Sequence, residues 1–198
     1  MAVSAEQVKK LREMSGAPMM ECKKALEETA GNLEKAVDVL RTKGAANADK
    51  RADREALQGL IGHYVHHDGK NAVLVELNCE TDFVARTAEF KTLAHDLAVH
   101  IAATNPLAVR IEDLPPETVA RERQVYEAQV AEQKKPENIR AKIVDGMMKK
   151  FYEENVLLEQ KFVKDDKRTV GELVKELSAK TGEKIDVRRF ARLKVGEG

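Results

Sequence analysis

Three kinds of side chain in this sequence could do chemistry by type and spacing. His63, His66 and His67 form the most ligand-like group. Imidazole nitrogens hold zinc when several converge on one point. On a strand, however, His63 and His67 share one face and His66 points to the other. The three do not converge, and a half-exposed strand accounts for them. Cys22 and Cys79 are the only thiols. Cys22 falls on a helical apolar stripe and Cys79 on a strand face, so each reads as a small core residue. Asp165 and Asp166 form an acidic pair between Lys164 and Lys167. That composition reads as a solvated turn rather than a cation site. A Gly-rich phosphate loop, a Ser nucleophile elbow and a paired-Cys metal motif are all missing. An enzyme reading has no anchor, and no cofactor is expected.

Binding chemistry has better candidates. Lys134 to Lys150 holds six Lys/Arg against two acids, and Lys184 to Lys194 holds five against one. Either could meet RNA phosphates. A solvated helix face and an edge strand guarded by charge are the simpler accounts. The segment Glu80-Thr81-Asp82-Phe83-Val84-Ala85-Arg86 is the least ordinary. Phe83 could plug the core from this connection. Core plugging is the simpler reading, and the alternative is an exposed aromatic wedge beside a carboxylate. Met19 and Met20 open a helix, where core packing is the default, but Met also adapts well at interfaces. Composition leaves both choices open.

The elements that must position these residues fall into two modules. Residues 4 to 43 read as three short helices. Ser4 with Gln7 makes a capping box, and Val8, Leu11 and Met14 recur at helical spacing. Ser15-Gly16-Ala17 breaks the first helix, and Pro18 suits the first turn of the second. Cys22, Ala25, Leu26 and Thr29 form one stripe, and Leu33, Ala36, Val37 and Leu40 another. Asn32 caps the third helix, and Gly44 is its stop signal. Residues 45 to 56 hold no large apolar residue and read as a linker. The expected organisation is therefore a three-helix module at 1–44, a linker at 45–56 and a core domain at 57–198.

From Leu57 the period becomes two. Residues 60–67 and 73–79 read as a hairpin around the turn His67-Asp68-Gly69-Lys70-Asn71. Thr87 can cap a helix carrying Phe90, Leu93, Ala94, Leu97 and Ile101. Pro115-Pro116 opens a further helix. Pro136 opens another, with a stripe of Ile139, Ile143, Met147 and Phe151. Thr169 with Glu172 starts one more, which Gly182 ends. Ile185 onward is β-like and could return beside the hairpin. The expected class is α+β: a three-helix bundle, then a three-stranded antiparallel sheet packed with helices.

Composition narrows the function. The chain has 198 residues, with 34 Lys+Arg against 34 Asp+Glu. Zero net charge argues against a general polyanion binder, whose affinity comes from displacing counterions. Aromatics are 4% with no Trp, a poor supply for a base-stacking platform. Hydrophobics at 42% suffice for a core. Met1 to Lys10 has no signal-peptide apolar stretch, and no apolar run reaches membrane-span length. A cytoplasmic protein is expected.

Two stretches then resemble a known family. Leu11-Arg12-Glu13-Met14-Ser15-Gly16-Ala17-Pro18-Met19-Met20-Glu21-Cys22-Lys23-Lys24-Ala25-Leu26 is similar to the first signature of the elongation factor Ts family. Glu76-Leu77-Asn78-Cys79-Glu80-Thr81-Asp82-Phe83-Val84-Ala85-Arg86 is similar to the second. Ile185-Asp186-Val187-Arg188-Arg189-Phe190 resembles a segment late in the family's core. Thr87 stands where the family often has Asn, Met14 where Thr is usual, and Pro18 where Gly is frequent. None of these touches Asp82 or Phe83.

The resemblance implies a guanine nucleotide exchange factor for elongation factor Tu in translation. It implies that the bundle is of the ubiquitin-associated (UBA) type and docks on the GTPase through Arg12, Met19 and Met20. It implies that Thr81, Asp82, Phe83 and Val84 dislodge Mg²⁺ from the GTPase. Short members with one core pair two copies, so a homodimer in a 2:2 complex is expected. The alternative from another class is an RNA-binding module using Lys184 to Lys194.

Overall fold

The computed structural model describes residues 3–132 and 136–197, and only the backbone of residues 45 and 49. Met1, and Lys134 and Lys135 of the first basic cluster, lie outside the described residues. The expected class is found: a three-stranded antiparallel sheet packed with helices, after helices at the N-terminus. The sheet order is β1 (Gln58–Val65), β2 (Asn71–Cys79), β5 (Asp186–Lys194). The chain divides into two compact units.

The first unit comprises the chain through Ile61, Glu76–Leu93 and Glu172–Val187. It opens with α1 (Ala5–Ser15), α2 (Met19–Glu28) and α3 (Leu33–Asp49). The Gln7 amide donates to Ser4 Oγ at 3.2 Å, and the Ser4 amide donates to Gln7 Oε1 at 3.0 Å. This is the reciprocal capping box that the spacing predicts. Asn32 Oδ1 accepts from the Lys35 amide at 3.0 Å and starts α3. Val8, Leu11, Cys22, Ala25, Leu26, Ala36 and Leu40 close into one buried cluster.

Gly44 does not end α3, which runs on to Asp49. Its role is contact. A Cβ at Gly44 would lie 2.8 Å from Cβ of Ala179 in α8 (Val170–Thr181). The two helices approach where neither has a large side chain. Beside that point Arg41 pairs with Glu172 at 3.1 Å and Glu176 at 3.6 Å. Gly44→Val is therefore expected to destabilise by about 1–3 kcal/mol through overpacking. Helix propensity alone would favour the change. Urea unfolding with a raised or unchanged midpoint would contradict this account.

The second unit comprises Gly62–Val75, Ala94–Gly171 and the segment from Arg188. Ala94, Leu97, Ala98 and Ile101 of α5 (Ala88–Thr104) are buried. Gly62 lets β1 lie against this helix: a Cβ there would fall 2.3 Å from the Ala94 carbonyl oxygen. α6 (Pro116–Ala131) and α7 (Glu137–Asn155) share a core of Val130, Val144, Met148 and Phe151.

This core corrects the expected stripe on α7. Val144 and Met148 are buried, Ile143 and Met147 only partly so, and Ile139 is exposed. Four residues turn a helix about 40° past a full circle. A strict fourfold series therefore drifts off the buried face. The acidic pair is also corrected. Asp165 begins β4 (Asp165–Thr169), which pairs antiparallel with β3 (Lys161–Phe162). The Arg168 guanidinium at 2.7 Å and the Lys167 amide at 3.2 Å hold the Asp165 carboxyl below its usual pKa.

One buried polar network ties this unit together. His100 is fully buried. Its Nδ1 accepts from the Val163 amide at 3.3 Å, so Nε2 carries the proton and donates to Gln160 Oε1 at 2.9 Å. Gln160 also accepts from Thr104 Oγ1 at 2.9 Å and donates to the Glu154 carbonyl at 2.7 Å. Burial lowers the His100 pKa, a pull only partly offset by its bond to Gln160. Below about pH 6.5 the unfolded chain takes up a proton that the folded chain refuses. The His100 contribution is thus full above that pH and declines as pH falls through it. His100→Gln preserves one acceptor and one donor, and is expected to flatten the decline in stability below about pH 6.5. An equally steep profile in the variant would assign the slope to other groups.

Candidate interaction site

The chain leaves β2 at Cys79 and enters a single turn of helix, α4 (Asp82–Ala85). Thr81 is the cap. Its backbone is extended, and its Oγ1 accepts from the Val84 amide at 3.4 Å. Thr87 closes the turn by donating to the Val84 carbonyl at 2.8 Å, and starts α5 by accepting from the Phe90 amide at 3.3 Å. Within α4 only Ala85 is buried.

Phe83 is 78% exposed. The core-plug reading therefore fails, and nearby it is Phe90, fully buried, that packs in the core. Asp82 is half-buried beside it, and its Oδ2 accepts from Arg86 Nη2 at 2.6 Å. Val84 is also half-buried. The turn thus presents an aromatic ring next to a carboxylate whose charge is balanced within the same turn.

Sequence reasoning missed what holds this turn. Glu183 Oε2 accepts from the Glu80 amide at 3.1 Å and the Thr81 amide at 3.0 Å, and Oε1 accepts from Thr81 Oγ1 at 2.6 Å. In return the Lys184 amide donates to Glu80 Oε1 at 2.6 Å, while Arg54 Nη1 donates to the same carboxylate at 3.2 Å. The Lys184 amide chiefly, and Arg54 after it, hold the Glu80 pKa down. The Cys79 thiol donates to the Thr81 carbonyl at 3.0 Å. Burial first and the nearby Glu183 charge second push its pKa up, away from thiolate chemistry. No local pattern around Glu183 signals this role, because the bonds span more than a hundred residues.

The other expected contact residues lie on the bundle. Met19 is 56% and Met20 62% exposed at the start of α2, so neither packs in the core. Arg12 is exposed on α1. These residues sit on α1 and α2, and residues 81–84 on the turn after β2.

The remaining candidates weaken as sites. Among the described residues no three His, Cys, Asp or Glu side chains group to hold a metal ion. His66 Nδ1 meets Tyr64 Oη at 2.8 Å, and the His66 and His67 rings stand 4.2 Å apart, while His63 faces solvent. In the C-terminal basic cluster, Lys184 Nζ donates to the Ala52 and Arg54 carbonyls at 2.6 and 2.9 Å. Arg192 and Lys194 both pair with Glu197. The single Glu197 carboxylate offsets part of the charge of Arg192 and Lys194. Among the described residues no helix is long and apolar enough to cross a membrane.

Comparison with known proteins agrees with the signatures. A family model described as elongation factor TS matches residues 2–197. Elongation factor Ts of Thermotoga maritima is 54% identical over 198 residues, covering 100% of this chain and 98% of that protein. Elongation factor Ts of Syntrophomonas wolfei is 52% identical, covering 99% of this chain and 92% of its own. That of Moorella thermoacetica is 52% identical, covering 99% and 97%. With both signatures in place and the match spanning its length, the chain belongs to the elongation factor Ts family of translation factors.

Proposed function

We propose that the chain is a guanine nucleotide exchange factor for elongation factor Tu, with Phe83 as the element that disturbs the GTPase's Mg²⁺ site. The observation that carries this reading is the exposure of Phe83 on a capped and anchored turn. An aromatic left in water costs solubility and gains nothing for the fold. Its surface becomes useful when a partner buries it. Asp82 beside it, paired in the free protein with Arg86, places carboxylate oxygens next to the ring, and oxygen atoms are what Mg²⁺ takes as ligands. The bundle supplies affinity through Arg12, Met19 and Met20, whose exposed side chains suit an adaptable contact. No bond is made or broken, so no catalytic side chain is needed.

The energetics follow from linkage. A factor that binds the nucleotide-free GTPase more tightly than the GDP-bound form weakens GDP by the same ratio. Each tenfold requires about 1.4 kcal/mol of differential binding. The direct test is release of fluorescent GDP from elongation factor Tu with and without this protein. Acceleration at catalytic amounts is the expected result, and an unchanged rate would end the proposal.

We also infer that two copies assemble. Support comes from the outer side of the sheet in the second unit. Leu74 points away from the buried Val73 and Val75, and Val65 and Leu193 are likewise more than half exposed. The bonds His66 N to Asn71 O at 2.8 Å and Val195 N to Lys70 O at 2.9 Å set a register that puts all three on one face. A second copy of the same face satisfies the self-complementarity that a twofold dimer needs. Leu74→Glu with Leu193→Glu is expected to yield monomers in sedimentation equilibrium. Monomeric wild-type protein at tens of micromolar would overturn the pairing.

A further inference from the structure

We propose that Glu183 is a positioning residue for Phe83, acting through Thr81; the inference rests on the exchange reading above. A single turn of helix has almost no stability of its own, because nucleation costs more than one hydrogen bond returns. Apolar packing does little here, since Ala85 alone of the four residues is buried. The direction in which Phe83 points is therefore set by what fixes the two residues before the turn.

Those two residues are held by one carboxylate. Three donors converge on Glu183: the amides of Glu80 and Thr81 on Oε2, and the Thr81 hydroxyl on Oε1. All are charge-assisted bonds, roughly twice as strong as neutral ones. The Lys184 amide returns a bond to Glu80, so two neighbouring carboxylates reach across in opposite directions. This clasp fixes the backbone of Glu80 and Thr81, and with it the hydroxyl that caps α4. Phe83 then meets its partner already aimed, and the ordering cost is not charged to binding.

A carboxylate is required. Glutamine keeps the size but offers one acceptor oxygen and a donor amide. It satisfies one edge of the clasp and sets an N–H against a donor on the other. The test is a double-mutant cycle on GDP release. Glu183→Gln is expected to lower the saturating rate about tenfold with little change in the half-saturating concentration. In a Phe83→Ala background the same change is expected to alter the rate less than about twofold. Its effect on the thermal midpoint is expected to be equal in both backgrounds. Hydrogen exchange is expected to show the Glu80 and Thr81 amides protected in the wild type and unprotected in the variant.

An equal loss of rate in both backgrounds, a wild-type rate, or unchanged amide protection would each overturn the inference. Should Glu183→Gln fail to fold, Glu183→Asp withdraws the same carboxylate from all three donors by one methylene, spares the Thr81 cap and carries the same expectations. A Phe83→Ala single variant with wild-type exchange would bring down the wedge reading itself. A slow Phe83→Ala variant with no coupling to Glu183 would bring down only the clasp.

Discussion

Replacing Phe83 with alanine is expected to slow stimulated GDP release by about one to two decades and to leave the protein folded. The magnitude comes from the side chain. Fully burying a Phe is worth roughly 1.5–3 kcal/mol. At about 1.4 kcal/mol per decade, that differential binding sets the loss. The intact fold follows from position. At 78% exposure the ring contributes little to the core, and its removal opens no cavity. Circular dichroism and a denaturation midpoint would confirm a native variant, and stopped-flow release of labelled GDP would measure the rate. Wild-type acceleration by Phe83→Ala would remove the ring from the mechanism. A variant that unfolds would mean the ring is structural after all.

The second large effect is on affinity. Met19→Ala together with Met20→Ala is expected to weaken the complex with elongation factor Tu by about 3 kcal/mol, near a hundredfold. Each truncation removes a flexible thioether arm that the free protein leaves in water. The kinetic signatures of the two variants differ. Loss of a docking contact shifts the concentration for half-maximal exchange and spares the saturating rate. Loss of the wedge does the reverse. Titration calorimetry giving wild-type affinity for the Met double variant would place docking elsewhere.

How much of this was legible in the sequence varied with the range of the forces involved. The bundle was readable because its signals are local. Ser4 with Gln7, Gly16 and Asn32 sit next to the ends they define. The hairpin was readable from strict alternation through Val73, Val75, Leu77 and Cys79. Where packing overrides local preference, the reading slipped. Gly44 carries a stop signal, yet the helix continues because Ala179 packs on it. The β3–β4 hairpin escaped notice because Asp165-Asp166-Lys167-Arg168 has no apolar period to detect. Composition left Phe83 undecided, because only the fold determines that Ala85 and Phe90 occupy the interior instead. Glu183 was invisible for the same reason on a longer scale.

The distance along the chain between the turn and its anchor also has a temporal meaning. Domains assemble from the N-terminal end during synthesis. The nascent chain contains Asp82 and Phe83 for a full hundred residues before Glu183 is made. Contacts of such sequence separation close late, because loop closure must precede any reward. The growing polypeptide can therefore display the bundle's exposed methionines early, while the turn that carries Phe83 is still unanchored. The turn can be aimed only once the segment carrying Glu183 has been made and has closed on Glu80 and Thr81.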